Sequence, residues 1–323
     1  MKAIQIASDQ SLVWDEFEQP EPADHEVLIK VAATAINRAD LVQRGGGYPP
    51  PPGASPIMGL ECAGEVVAVG NQCQRFSPGD QVCALLAGGG YAEYAAVDEG
   101  SVLPVPGGME LREAAGIPEV FATAWLNLFM EAGVQPGEKV VLHAGASGVG
   151  TAGIQMCRIN GIETFVTVGS QDKLETCIEM GASHGVNRHD GSFLEAARAF
   201  APGGVDVILD PVGAGYLQDN LQLLGLNGRL VLIGLMGGAR AELDLAALMM
   251  KRVRLIGSTL RARPLLEKAE VMKQMEQKLW PHFAAGEISV TIDSVLPITR
   301  AAEAHSLLAS DQTVGKVILE IDH

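Results

Sequence analysis

Residues 138–170 read EKVVLHAGASGVGTAGIQMCRINGIETFVTVGS, with a glycine-rich segment between two apolar runs. The first run, 139–143, predicts a buried strand, and the apolar residues after the glycines recur at helical spacing. The glycines at 148, 150 and 153 have the G-x-G-x-x-G spacing, and a second apolar strand follows at 164–168. A strand, a glycine-rich turn, a helix and a strand in this order predict a dinucleotide-binding unit.

The glycine-rich turn has the properties that a pyrophosphate group requires. Glycine permits a tight turn, a close approach of backbone to phosphate, and close packing of the helix on the strand. The first amides of the helix have no intrahelical acceptor, and the helix dipole attracts negative charge. We therefore predict cofactor contacts at Ala146, Ser147, Gly148, Val149 and Gly150.

The end of the second strand indicates which dinucleotide binds. NAD sites usually place an acid there to accept hydrogen bonds from the ribose 2'-hydroxyl. This chain has Gly169 and Ser170 instead, with Lys173 in the following helix, Asn187 at the end of the next short strand and Arg188 directly after it. A hydroxyl, an ammonium group and a guanidinium group suit a 2'-phosphate, although the two cations are also consistent with ordinary solvated charges. NADP(H) is the predicted cofactor.

The composition is that of a globular protein with an acidic surface. The chain has 323 residues, 47% of them hydrophobic, and a formal net charge of -16. The acidity argues against binding to nucleic acid or to an anionic membrane, which clustered cations would favour. There is no apolar run of about 18 residues and no signal-peptide pattern, so we expect a cytoplasmic protein. Its five cysteines contain no C-x-x-C pair and predict no disulfide framework.

The chain divides into two parts that differ in their pattern of apolar and turn-forming residues. Up to about residue 120, short strands alternate with Gly, Pro and Asp turns, which predicts a small barrel-like β-domain. From about 121, helices alternate with apolar strands, which predicts a doubly wound parallel sheet. A helix from 264, a strand at 288–290 and a final strand at 315–321 are expected to return to the first domain. The predicted boundaries are 1–122, 123–263 and 264–323.

Short motifs along the whole chain resemble those of one enzyme family. They lie at 35–40, 51–55, 59–61, 88–90, 117–119, 143–151, 169–170, 234–238 and 314–316. Through them the chain resembles the zinc-free quinone oxidoreductases of the medium-chain dehydrogenase/reductase superfamily, most closely the stress-inducible NADPH quinone reductase-like branch. The resemblance implies an α/β fold, with a Rossmann doubly wound parallel sheet plus a GroES-like β-barrel catalytic domain. It also implies NADPH-dependent reduction of a quinone.

The same resemblance implies that no metal is bound. Zinc-using relatives have Cys near the position of Asn37, and Gly-His-Glu where this chain has Gly59, Leu60 and Glu61. Asn and Leu in place of Cys and His remove the donors that zinc prefers. Glu61 is then expected to make an internal hydrogen bond.

Without a metal, hydrogen bonds must polarise the carbonyl of the acceptor. The resemblance places two catalytic residues, Asn37 and Tyr48, at the nicotinamide end of the site. The Asn37 amide is expected to bind the nicotinamide carboxamide or the acceptor oxygen, and the Tyr48 phenol to hydrogen-bond or protonate the quinone oxygen. Tyr48 lies between glycines and prolines in 45–52, as in a movable lid. Because a phenol is a poor acid at neutral pH, solvent is the alternative proton source.

Further cofactor contacts are implied by the resemblance alone. For Thr123 the alternative is a helix-capping hydroxyl. For Lys316, expected to bring a cation toward the pyrophosphate, the alternative is a solvated charge on an edge strand. The residues implied in this way are Thr123, Gly234, Leu235, Met236, Leu260 and Lys316.

Two other functions are also consistent with the sequence. Reduction of the C=C bond of an enone or enoyl thioester uses the same geometry as quinone reduction. A nucleotide-dependent sensor or binding protein with little turnover could share the whole fold. The resemblance also implies a homodimer through the edge strand at 253–257, with a tetramer as the alternative.

Overall fold

The chain divides into two compact units in a computed structural model that describes all residues from 1 to 323. Unit 1 comprises Met1–Ala122 together with Leu260–His323, and unit 2 comprises Thr123–Thr259. Unit 2 therefore ends at Thr259 and not at residue 263. The physical reason lies in Arg261, which is buried and donates a hydrogen bond to the Ala87 carbonyl of unit 1.

The secondary structure follows the chain in three stretches. Up to residue 125 it comprises β1 (Lys2–Ile6), β2 (Leu12–Glu16), β3 (Glu26–Ala35), α1 (Arg38–Arg44), β4 (Glu61–Val69), β5 (Gln81–Leu85), β6 (Tyr94–Asp98), a 3₁₀ turn (Glu99–Ser101), β7 (Val102–Pro104), α2 (Leu111–Ala114) and α3 (Pro118–Trp125). The next stretch comprises a π-helical turn (Leu126–Glu131), β8 (Lys139–His143), α4 (Gly148–Ile159), β9 (Glu163–Val168), α5 (Gln171–Glu179), β10 (His184–Asn187), α6 (Phe193–Phe200), β11 (Val205–Asp210), α7 (Leu217–Leu223), β12 (Leu224–Leu232), α8 (Leu245–Lys251) and β13 (Arg254–Gly257). The last comprises α9 (Leu265–Ala284), β14 (Ile292–Pro297), a 3₁₀ turn (Ile298–Arg300), α10 (Ala301–Ala309) and β15 (Lys316–Glu320). None of these helices combines the length and the apolar content needed to cross a membrane.

Unit 1 is built on a seven-stranded sheet in the order β14-β15-β3-β4-β5-β7, with β6 also paired to β3. All its pairs are antiparallel except β14 with β15. The inward side chains of β3, including Val27, Ile29 and Val31, are fully buried in the core of this unit. The strand predicted at 288–290 is wrong. Pairing with β15 starts only at Ile292, so the strand lies later in the chain.

Unit 2 is a six-stranded parallel sheet in the order β10-β9-β8-β11-β12-β13. The chain adds strands outward from β8 to β10, then returns to β11 on the other side of β8. This confirms the doubly wound sheet. The strand order reverses at β8 and β11, and ligands of such sheets bind at the carboxyl ends of the strands beside this point.

Candidate active site and cofactor site

The glycine-rich turn of unit 2 joins β8 to α4 and presents amide groups at the helix N-terminus. Ser147 caps the helix, and its Oγ accepts a hydrogen bond from the Gly150 N–H at 3.1 Å. The two amides before it, Gly148 and Val149, have no intrahelical acceptor. The turn therefore offers backbone donors and the positive end of a 12-residue helix to an anion.

Glycine is required at two positions of this turn, because the backbone of the turn folds closely on itself and against the sheet. A Cβ at Gly150 would lie 2.4 Å from the carbonyl oxygen of Gly145. A Cβ at Gly145 would lie 2.6 Å from the side chain of Val166 on β9. Real Cβ atoms do not approach other atoms this closely, so a side chain at either position would force the turn open.

The carboxyl end of β9 gathers the residues predicted to distinguish NADP(H) from NAD(H). The guanidinium of Arg188 lies over Gly169, because a Cβ built on Gly169 would be 3.7 Å from its Nη2 and 3.9 Å from its Nε. Ser170 caps α5, and its Oγ accepts from the Lys173 N–H at 3.3 Å. Arg188 follows Asn187 at the end of β10, which pairs in parallel with β9. Gly169, Ser170, Lys173, Asn187 and Arg188, hereafter the β9 corner, thus lie together.

Tyr216 is a neighbour of the β9 corner that sequence reasoning missed. Its ring centroid lies 4.7 Å from that of His143 and 4.8 Å from that of Phe193. Burial raises the pKa of the Tyr216 phenol, and the nearby charge of Arg188 opposes this shift. The only local signal is an aromatic residue after a Gly-Ala-Gly turn, which does not predict that Tyr216 lies within the electrostatic reach of Arg188.

His143 belongs to a buried polar network under the turn. Its Nε2 lies 2.7 Å from Oδ1 of Asn220, whose Nδ2 donates to Asp210 at 3.0 Å. Since Asn220 uses its amide nitrogen on Asp210, its oxygen accepts from His143, and the other ring nitrogen accepts from Thr167. Burial lowers the pKa of His143 to about 4, so the ring is neutral at physiological pH. His143 is therefore a buried core residue that is closed off from solvent.

The loop after β12 contains the other predicted cofactor contacts of unit 2. A Cβ at Gly234 would lie 2.7 Å from the carbonyl oxygen of Pro211, so this loop and the one after β11 lie in close contact. Leu235 and Met236 are 57% and 52% exposed. Thr123, at the start of unit 2, accepts a hydrogen bond at its carbonyl from the Asn127 amide at 2.7 Å.

In unit 1, Lys316 occupies a buried position and not the one expected from the sequence. It is only 3% exposed, and its Nζ donates to Glu61 Oε1 at 2.8 Å, to Asn37 Oδ1 at 2.7 Å and to the Ile36 carbonyl at 2.8 Å. All three of its N–H donors are used. The predicted contact of Lys316 with a pyrophosphate does not fit this geometry, because a buried ammonium group needs fixed partners and has found them inside the chain.

The Asn37 amide is held in one orientation by this network. Its Nδ2 donates to Glu61 at 2.8 Å and to the Ala35 carbonyl at 3.3 Å, while its Oδ1 accepts from Lys316. Glu61, which is fully buried, makes the predicted internal hydrogen bond. Asn37 has no N–H left, so it can accept from a carboxamide but cannot donate to a carbonyl oxygen. This favours the first of its two predicted roles.

Tyr48 has a phenol that no group of the chain engages by a hydrogen bond. The side chain is half-buried, and its ring lies 5.1 Å from the guanidinium carbon of Arg261. Burial raises the pKa of the phenol, the charge of Glu119 raises it further, and Arg261 lowers it. The phenol therefore keeps its proton at neutral pH and is available as a donor. Leu260, by contrast, is 6% exposed and contributes its side chain to the core.

Two family models match the chain, "Zinc-binding dehydrogenase" over residues 148–278 and "Alcohol dehydrogenase GroES-like domain" over residues 23–107. The "Quinone oxidoreductase" of Rattus norvegicus is 30% identical over 303 residues, covering 93% of this chain and 90% of the relative. The chain belongs to the zinc-free, quinone oxidoreductase-like branch of the medium-chain dehydrogenase/reductase superfamily. No group of three or more His, Cys, Asp or Glu side chains is arranged to hold a metal.

Solved structures of this superfamily share both units of the fold. A "NAD-dependent alcohol dehydrogenase" superposes with a TM-score of 0.86 at 28% identity and covers 100% of both chains. The "JamJ enoyl reductase (apo form)" superposes with a TM-score of 0.87 at 26% identity and covers 99% of both chains. Members of the superfamily use nicotinamide cofactors and act on small molecules, so this protein is an oxidoreductase of that class.

Proposed function

We propose that this protein is an NADPH-dependent quinone oxidoreductase that works without a metal. The observation that carries the cofactor preference is the β9 corner, where a guanidinium lies over a glycine, and β9 ends at Gly169 and Ser170 without the acid that is typical of NAD sites. A carboxylate there would repel a 2'-phosphate, whereas Ser170, Lys173 and Arg188 offer a hydroxyl and two cations. The similarity to the rat quinone oxidoreductase supports the choice of acceptor.

The residues of unit 2 fit an NADP(H) molecule part by part. The amides of Gly148 and Val149 would bind the pyrophosphate, and the β9 corner the 2'-phosphate. The loop at 234–236 would lie along the nicotinamide ribose, with its exposed apolar side chains covered by the ligand. When bound, the cofactor supplies the hydride for the reaction.

The residues of unit 1 fit a carbonyl acceptor. Asn37 would accept a hydrogen bond from the nicotinamide carboxamide and so orient the ring. Tyr48 would donate its phenolic hydrogen to the acceptor oxygen that gains negative charge, which is a form of oxyanion stabilisation. Since burial raises the pKa of this phenol, Tyr48 holds its proton and solvent supplies the net proton of the reduction.

A second candidate is reduction of a C=C bond in an enone or enoyl thioester, which the likeness to the JamJ enoyl reductase favours. Both reactions consume reduced cofactor, so the acceptor decides between them. Purified protein would be titrated with NADPH and NADH by fluorescence, then assayed with 1,2-quinones, 1,4-quinones and a simple enone. Faster oxidation of NADPH with the quinones than with the enone supports the proposal. Turnover confined to the enone supports the second candidate, and tight NADPH binding without turnover would indicate a sensor.

We further propose that two copies associate through β13. This strand is an edge of the unit 2 sheet, and Leu255 on it is 37% exposed. The neighbouring helix α8 exposes Leu245, Met249 and Met250 by 67% to 74%. An apolar edge strand beside an apolar helix face is a liability in water, and pairing with a second copy would remove it.

A further inference from the structure

Arg261 is a buried cation whose donors reach three separate segments of unit 1. It is 5% exposed. Its Nε donates to the Ala87 carbonyl at 2.7 Å, its Nη1 to the Tyr48 carbonyl at 3.1 Å, and its Nη2 to Gln43 Oε1 at 2.8 Å. Because the guanidinium group is planar and makes three hydrogen bonds in fixed directions, it fixes the distances between these three segments.

The segment around Tyr48 has few other anchors. Its backbone hydrogen bonds at Gly45, Gly46, Gly47 and Ala54 all reach residues three to five positions away. Within 48–53 the bond from Arg261 to the Tyr48 carbonyl is the one hydrogen bond to a distant part of the chain. A Cβ at Gly46 would have no atom within 4 Å, so this side of the loop is open.

Arg261 also contacts the ring of Tyr48 and is connected to both ends of this loop. Its guanidinium lies against the Tyr48 ring, with 5.1 Å between the Cζ atom and the centroid, in the range of a cation–π contact. Through Gln43 it is connected to Pro56, whose carbonyl accepts from Gln43 Nε2 at 3.3 Å. The residues before, within and after the loop are thus joined through the side chains of Arg261 and Gln43.

We infer that Arg261 is a positioning residue that holds the loop 45–53 so that the Tyr48 phenol faces the acceptor. The consequence for catalysis rests on the proposed function of Tyr48, whereas the restraint of the loop does not. Lysine cannot replace Arg261, because its ammonium group is compact and has no planar face to lie against a ring. A tyrosine between glycines and prolines can in this way be held in one place.

The first test measures the loop itself, without activity. Hydrogen exchange of peptides covering 41–56 would be compared in the wild type, Arg261→Lys and Arg263→Lys. Arg263 is the matched control, because it is partly exposed and pairs with Glu267 at 3.1 Å on α9. We expect exchange at Gly45, Gly46, Gly47 and Ala54 to accelerate at least about tenfold in Arg261→Lys alone. Equal exchange in all three proteins would overturn the inference. If Arg261→Lys does not fold, Gln43→Met provides the same comparison.

The second test measures whether Arg261 acts through Tyr48. Arg261→Lys is expected to lower kcat for quinone reduction about tenfold, with unchanged NADPH affinity, and to have no further effect in a Tyr48→Phe background. An equal loss in both backgrounds would show a general structural role and overturn the inference. If the wild type turns over no quinone while the loop still loosens, the proposed function fails and the restraint by Arg261 stands.

Discussion

A Gly169→Asp substitution would give the end of β9 the acid that is typical of NAD sites. The structure has room for it. The nearest atoms to a Cβ at Gly169 belong to the Arg188 guanidinium, at 3.7 to 3.9 Å, which is ordinary van der Waals contact. The new carboxylate would therefore pair with Arg188 and stand where the 2'-phosphate is proposed to bind.

The size of the effect follows from two contributions. Loss of one hydrogen bond from a charged group costs about 1.5 to 3 kcal/mol. Repulsion between a carboxylate and a phosphate at about 4 Å has an upper limit of about 4 kcal/mol at an effective dielectric constant of about 20, but Arg188 is exposed and solvent reduces this to about 1 kcal/mol. The sum, about 2.5 to 4 kcal/mol, corresponds to NADPH binding that is roughly 60- to 700-fold weaker.

Fluorescence titration with NADPH and NADH measures this change directly. Gly169→Ala is the matched control, since it adds the Cβ without the charge and is expected to retain the wild-type affinity for both cofactors. In Gly169→Asp the affinity for NADH should be maintained or increased. An unchanged NADPH affinity in the Asp variant would refute the assignment of the 2'-phosphate site. A loss in the Ala variant equal to that in Asp would show that the effect is steric.

Three further predictions concern chemistry, stability and assembly. Tyr48→Phe keeps the ring over Arg261 but removes the donor, so kcat with quinones should fall about 10- to 100-fold at unchanged NADPH affinity, and an unchanged kcat would exclude the phenol from the reaction. Because the pKa of His143 is lowered from 6.5 to about 4, its neutral form stabilises the fold above pH 6.5, and this stabilisation, up to about 3 kcal/mol, is lost as the pH falls from 6.5 to 4. Urea unfolding across this range should show a smaller pH dependence in His143→Gln than in the wild type, and equal slopes would contradict the assignment. Ile256→Asp on β13 should give monomers or insoluble protein, and an unchanged dimer by light scattering would exclude this strand as the interface.

Much of unit 2 could be predicted from local patterns. The strands at 139–143 and 205–210 have the predicted bounds, and the glycine-rich turn lies between strand and helix as expected. These features are local, since an apolar run, a capping serine and a glycine such as Gly150, which approaches Gly145, depend on residues only a few positions away. The prediction of a strand at 288–290 was wrong because the position of this strand depends on pairing with β15. A pairing partner more than twenty residues away cannot be inferred from the local sequence pattern.

The amino-acid sequence by itself determined the class of fold, the dinucleotide-binding turn and the absence of an acid at the end of β9. Only the tertiary structure decided what individual charged residues do. The sequence predicts that Lys316 brings a cation toward the pyrophosphate, with a solvated charge on an edge strand as the alternative, but the fold brings it to Asn37 and Glu61, far away in the chain. Arg261 meets Tyr48 and Gln43 in the same way. A buried charge must find partners, and which partners it finds is set by the packing of distant segments and not by its neighbours in sequence.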